Sequence, residues 1–376
     1  MTIIDNVTIY TRHMAAAVPP DWPGHNFWWH WLFYTVVLIA FTLVMVMGAI
    51  YIERRVAGRM QSRLGPNRTG PFGLFQPVAD AIKVLLKENI VPAIADKAVH
   101  WFAPLVAFVP VMLILAVVPF QNGALLADLN IGVLYIVAIS SVTTVGVFMA
   151  GWSSGNKYSL LGAMREVATV VSYEIPLVLS MVGVVLVAGS LSLNQIVLAQ
   201  NIPFILLQPL GFLIFFAASL AEINRSPFDL LEADSELVAG FHTEYSGMKF
   251  AMFYLVEYAE AIVMSTIITT IFLGGWRGPW LPPWLWFIVK TLIVFFVMVW
   301  MRATWPRVRI DQLMAFAWKF LLPLALINLF ITAAQVLAWP NGLPWLAVLI
   351  NIVIMVVLIG AWSRLFKFGW GRVEVR

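Results

Sequence analysis

The 376-residue chain has no cysteine, which excludes disulfides, thiolate zinc sites and iron–sulfur clusters held by this polypeptide. Its five histidines do little to replace them. His30 sits near the outer end of the first apolar stretch and His100 near the inner end of the second, so the two cannot share a haem; His13, His25 and His242 lie in polar segments. No HExxH or glycine-rich phosphate motif occurs. If electrons are involved, this chain does not carry them. Charge is scarce too: 11% of residues are charged against 61% hydrophobic, and the mean hydropathy is +0.89. So few polar side chains cannot cover a water-soluble globule of this length, and the composition is that of an all-α integral membrane protein.

A bilayer core about 30 Å thick asks for roughly 20 apolar residues per helical crossing. Nine stretches come close: Trp31–Ile52, Phe102–Phe120, Ile131–Gly151, Ala168–Ala188, Pro203–Ala221, Phe250–Gly274, Trp284–Met301, Ala317–Ala338 and Trp345–Trp362. The expectation is a single polytopic domain over residues 1–376, with about nine transmembrane helices. Basic residues set its orientation. Those of 53–88 and Lys97, then Lys157 and Arg165, Arg225 and Lys249, Arg302 to Lys319, and Arg364 to Arg376 all fall on one side. The other side keeps Arg12 and Arg277, with Lys290 just inside a span and expected to snorkel outward. This asymmetry predicts an N-terminus outside and a C-terminus in the cytoplasm, and eight or ten spans would break it. Trp22, Trp28, Trp29 and Trp31 suit an aromatic belt at the outer interface. The long first apolar stretch with its basic flank behind it does not read as a cleavable signal peptide. The net charge of +4 is therefore a topology signal and gives no sign of nucleic-acid binding.

Against this apolar background, eight of the 19 acidic residues fall between Glu222 and Glu260. A charge near the middle of a bilayer costs roughly 2.5–3.5 kcal/mol on insertion scales, so it faces a protein interior or a water-filled path. Coupled acids in such a place can take up and release protons, which points to proton chemistry in a membrane. Glu222 ends one span with Arg225 three residues on, within reach for a pair on one turn. Pro227 is expected to stop that helix, placing Asp229, Glu232, Asp234 and Glu236 on an acidic cytoplasmic loop over 222–249. A solvated loop is the plain alternative for these acids. Glu257 and Glu260 sit three apart in apolar sequence, where a shared proton or an arginine partner would make both tolerable. Glu166 and Glu174, eight residues apart, project from nearly one face of a common helix. Glu166 also reads as a surface charge beside Arg165.

The cytoplasmic segment 53–88 has two halves. Gly58, Gly65, Pro66, Gly70, Pro71 and Gly73 predict a turn-rich path carrying Arg59, Gln61, Arg63 and Asn67. From Pro77, Val78, Ile82, Leu85 and Leu86 recur at helical spacing opposite Asp80, Lys83 and Lys87, predicting an amphipathic interfacial helix of about three turns. It suits either a membrane-surface anchor or the roof of a lateral opening to lipid. After the seventh span, Arg302, Arg307 and Arg309 read as positive-inside residues or as partners of the acidic loop or Asp311.

Four of these segments together resemble one family, the H subunit of proton-translocating NADH:quinone oxidoreductase (respiratory complex I). They are ERRVAGRMQSRLGPNRTGP with QPVADAIKVLLKE, GWSSGNKYSLLGAMREVATVVSYE, AEINRSPFDLLEADSELVAGFHTEYSGMKFAMFYLVEY and MRATWPRVRIDQLM. The resemblance implies a subunit at the junction of the membrane and peripheral arms of a bacterial cytoplasmic-membrane enzyme. Such a subunit forms much of the quinone corridor and an acid-lined route leading from it. By position, Arg54, Gln61, Asp80, Lys83 and Arg302 match the quinone chamber, while Glu174, Glu222 and Glu257 match intramembrane acids. Asp229, Glu232, Asp234 and Glu236 match the acidic loop. Leu231 stands where proline is common and Asp234 where glutamate is common, and Glu260 matches no family role. Quinone is then the substrate, no cofactor or metal is held by this chain, and NADH, FMN and iron–sulfur clusters belong to partner subunits. Partners are the other membrane-arm subunits, the peripheral subunits at the quinone site, and the bilayer. Two other readings fit parts of the pattern. One is the membrane anchor of an energy-converting hydrogenase or related dehydrogenase, against which the complete GPNRTGP segment stands. The other is a stand-alone ion transporter, whose usual internal repeat is missing.

Overall fold

The computed structural model describes residues 28–122, 126–229, 238–339 and 343–365. Arg12, Trp22, Glu232, Asp234 and Glu236 lie outside the described residues. Every regular element among those described is helical. Among the described residues, eight helices are long and apolar enough to cross a membrane, and a ninth, Pro209–Glu222, is apolar but shorter. The all-α membrane architecture expected from the composition is thus observed.

In chain order the helices are α1 Trp28–Met60, α2 Gln76–Leu85, α3 Lys97–Val117, α4 Gly132–Ser153, α5 Lys157–Ala188, α6 Leu193–Ala199, α7 Phe204–Leu207, α8 Pro209–Glu222, α9 Gly247–Phe272, α10 Pro283–Thr304, α11 Ile310–Ala315, α12 Leu322–Ala338 and α13 Trp345–Leu365. Asp96 starts α3 by accepting from the backbone N–H of Ala98 and Val99, and Asn156 starts α5 by accepting from Tyr158. Gly189, at φ 68°, ends α5 in the left-handed conformation.

Helix α9 is central. From Ala261 to Phe272 every residue is buried, the mark of a helix apolar all round and enclosed by others. Helices α1, α3 and α10 pack on it, α4 joins α3 to α5, and α8 and α12 pack on α5. The approach of α3 to α4 depends on Gly146, because a Cβ there would lie 2.7 Å from the backbone nitrogen of Ala107.

Several boundaries differ from expectation. Helix α1 continues two turns beyond Ile52, so Glu53, Arg54, Arg55 and Arg59 are helical and the turn-rich path begins only after Met60. Arginines suit this helix end, where unpaired carbonyls favour cations. The fifth span is broken at Gln208, because Pro209 has no N–H to continue the ladder from α7 into α8. Helix α8 ends at Glu222, before Pro227, as Asn224 turns to φ 50°. The eighth span, Ile310–Ala338, contains a π turn over Phe316–Leu321 between α11 and α12.

Candidate functional site: an ion-paired junction beside an acid-lined cavity

The two extra turns of α1 carry Glu53 inward, where its side chain is 9% exposed. Nη1 of Arg225 donates to its two oxygens at 2.9 and 3.0 Å, and Nη1 of Arg302, from the end of α10, donates to Oε1. Nε of Arg225 lies 3.2 Å from Oε1 of Glu257 on α9, off the N–H axis, so this contact is an ion pair without an aligned hydrogen bond. The guanidinium also sits 4.3 Å from the centre of the Tyr258 ring. Burial alone would favour loss of the Arg225 charge. Glu257 and Glu53 outweigh it and push the guanidinium further toward its charged form. Arg225 therefore does not pair with Glu222 as the one-turn spacing predicts. The turn at Asn224 aims it away from α8, toward two acids from distant parts of the chain.

At the next residue along α1 after Glu53, Arg54 donates from Nη1 to Oδ2 of Asp80 at 2.5 Å, which ties α2 to α1. Gln76 donates to Oδ1 at 3.0 Å. Burial would raise the Asp80 carboxyl, but the hydrogen bonds from Arg54 and Gln76 and the charges of Arg54 and Lys83 hold it below the ordinary value. The outer face of α2 leaves Val78, Ile82 and Leu85 exposed, as an interfacial helix requires. Of the five chamber residues matched in sequence, Arg54, Asp80 and Lys83 are thus together, and Arg302 joins through Glu53. Gln61 is exposed past the end of α1, its side chain without a hydrogen bond to any described residue.

Behind Arg225 lies a cavity of about 130 Å³, walled by α3, α4, α5, α8, α9 and the segments after Glu222 and before Thr243. Its wall carries Glu166, Glu222, Asp229, Glu257 and Glu260, with hydroxyls of Ser140, Thr143 and Thr144 on the α4 side. At roughly 10–15 Å³ per water it has room for several. Glu166 accepts from Asn224 Nδ2 at 3.1 Å through one oxygen. The other oxygen, like one of Glu222, is buried without a hydrogen-bond partner. Glu174 lies two turns along α5 from Glu166, receives the Ser141 hydroxyl and is not on this wall.

Local sequence understates two acids of this wall. Glu166 reads as a surface charge because Arg165 adjoins it, yet it is 7% exposed. Glu260 matches no family role, yet it shares a helix face with Glu257 and lines the same cavity. The segment carrying Phe241 and His242 is held against α5 by backbone contact. Ser159 donates to the Phe241 carbonyl at 2.9 Å, and a Cβ on Gly162 would lie 2.8 Å from Cα of Gly240.

A family profile described as NADH dehydrogenase matches residues 33–333. The chain is 63% identical over 351 residues to the H subunit of NADH-quinone oxidoreductase from Dehalococcoides mccartyi, covering 93% of this chain and 99% of that protein. It is 53% identical over 309 residues to the protein of the same name from Geobacillus kaustophilus, covering 81% and 92%. With that of Brevibacillus brevis it shares 50% over 330 residues, covering 86% and 97%.

Proposed function

Because the chain belongs to the family of the NADH-quinone oxidoreductase H subunit, a membrane component of complex I, we propose that it shapes the quinone-access chamber and carries an acid-lined path coupling quinone reduction to proton translocation. The observation that carries this reading is the position of Arg225. One guanidinium pairs with Glu53, which belongs with Arg302, Arg54 and Asp80, and with Glu257 on the cavity wall. The matched chamber residues and the matched acids are therefore electrostatic neighbours. Charge appearing at a reduced head group near Glu53 and Arg302 would be felt at Glu257 through one shared cation, at distances where Coulomb energies in a poorly hydrated interior are large. Carboxyls with an unpaired oxygen facing a hydrated cavity can accept and pass protons, and a change in the field shifts the populations of their protonation states.

Helix α2 roofs a lateral opening through which the quinone tail enters from lipid. Segment 53–88 and the acidic segment 222–249 face the cytoplasm, with the N-terminus on the outer side of a bacterial cytoplasmic membrane. Partner subunits supply NADH, FMN and iron–sulfur chemistry. Glu174 extends the acid path beyond the cavity wall, and Glu232, Asp234 and Glu236 are assigned to the same path.

The deciding experiment measures quinone-linked proton pumping by the assembled complex in membranes carrying Glu222→Gln or Glu257→Gln. Pumping is expected to fall severalfold while the complex still assembles. Normal pumping in both would overturn the acid path.

A further inference from the structure

Among the described residues, the wall of the acid-lined cavity has one basic side chain, His242. Resting on the acid-path reading above, we propose that His242 is the relay that delivers protons from the loop side of the protein into this cavity. Its placement is fixed by backbone rather than by hydrogen bonds to the ring. The turn Gly240–His242 is pinned to α5 through Ser159 and the Gly162–Gly240 contact, and Tyr245 N–H donates to the His242 carbonyl at 3.0 Å. The imidazole stands edge-on to Phe241, with ring centres 5.0 Å apart, and to Phe250 at 5.3 Å. The two aromatic neighbours set the ring's position without occupying its nitrogens, which have no hydrogen bond to any described residue. The titratable groups sharing the cavity with it are Tyr254, Glu257 and Glu260 from α9, Glu166 from α5, Glu222 from α8 and Asp229 from the segment after it.

Burial pushes the imidazole down to about 4, so the resting ring is neutral, with one nitrogen a donor and the other an acceptor. A proton from water on the loop side adds to the free nitrogen. The imidazolium then gives up the proton on its other nitrogen to cavity water and so to a carboxylate, which becomes a carboxylic acid. The ring is left neutral in the other tautomer, and a half-turn about its Cβ–Cγ bond, which breaks no hydrogen bond, returns the bare nitrogen to the loop side and restores it without carrying the proton back. One positive charge enters the cavity and no electrons move. An imidazolium disfavoured by burial releases its proton readily, which suits a relay rather than a store.

The test uses the whole complex in proteoliposomes with His242→Gln, which keeps donor and acceptor but cannot gain a proton, and His242→Ala, which opens space beside Phe241 and Phe250. Both should assemble and lose proton translocation by about tenfold or more. Millimolar imidazole should restore His242→Ala but not His242→Gln, and methylated imidazoles should restore it in the order of their basicity. Wild-type pumping by His242→Gln with Glu257→Gln impaired would overturn the relay alone. Normal pumping in Glu257→Gln as well would instead remove the acid path beneath it. Loss of pumping in His242→Ala that imidazole does not restore, or failure of both variants to assemble, would make the side chain structural and overturn the proposal.

Discussion

Nη1 of Arg225 donates to both carboxylate oxygens of Glu53, a residue 172 positions earlier in the chain. Removing one partner of a buried pair leaves an uncompensated charge, at a cost of roughly 3–5 kcal/mol. Arg225→Gln should therefore lower the thermal stability of the purified complex markedly, and Glu53→Gln should do the same. The double variant should lose less than the sum of the two, because neither charge is then stranded. Strict additivity would show that the pair does not act as a unit.

The Arg54–Asp80 bridge is a different case. Both side chains are 38% exposed, and exposed pairs contribute at most about 1 kcal/mol. Asp80→Asn should leave stability nearly unchanged while loosening α2 on α1, seen as a raised KM for quinone at constant kcat. The carboxyl is held below 3.8, so its contribution is complete above that value and fades only as pH falls through the lower folded value. Cross-linking of α2 to α1 should accordingly be flat across the neutral range, and a change near pH 7 would contradict this.

His242 predicts a pH dependence with the same sign in a higher window. Its imidazole falls from 6.5 to about 4 on burial, so an opened loop binds a proton that the closed loop does not. Closure is most stable above 6.5 and weakens as pH falls from 6.5 toward 4. Hydrogen exchange over 238–246, corrected for intrinsic rates, should show more frequent opening through that interval. In His242→Gln the trend should vanish.

The absence of cysteine allows single-cysteine labelling without a background in this subunit, read on its own separated band. Trp280, fully exposed between α9 and α10, should react as Trp280→Cys with a membrane-impermeant thiol reagent added outside. Arg63→Cys should react only from the cytoplasmic face. Labelling of both from the same side would refute the proposed orientation.

Lys290→Met should loosen the outer turn. The Lys290 ammonium reaches the expected end of its span, but it ends in carbonyls, donating to those of Leu273, Gly275 and Arg277 at 2.7, 3.1 and 2.6 Å. Three stranded carbonyls at the end of α9 should raise proteolysis of the segment Leu273–Pro282 in intact outward-facing vesicles, with little change at the cytoplasmic loops.

The spans and the acids inside them were legible because each stands against an apolar background, as Glu222 and Glu257 do. Arginine as the partner type for Glu257 was legible for the same reason. Which arginine was not, because local spacing joined Arg225 to Glu222 and only the turn at Asn224 redirects it. Glu53 was hidden by Arg54 and Arg55, which make it read as part of a solvated flank. Glu166 was masked in the same way by Arg165. The break at Gln208 had a signal, an amide followed by proline in apolar sequence, but a window of mean hydropathy averages it away.

The π turn at Phe316–Leu321 sets an angular phase. Just before it, Leu313 offers its carbonyl to the Tyr173 hydroxyl at 2.8 Å, and within it the Trp318 indole donates to Ser172 at 3.2 Å. Each residue of an α-helix advances the chain by about 100°. Deleting one residue within this turn would regularise the helix, yet rotate Ile310–Ala315 away from Tyr173 and carry Arg307 and Arg309 around with it. The surplus residue thus fixes the direction in which the preceding arginines point, and insertions or deletions there should be far less tolerated than substitutions.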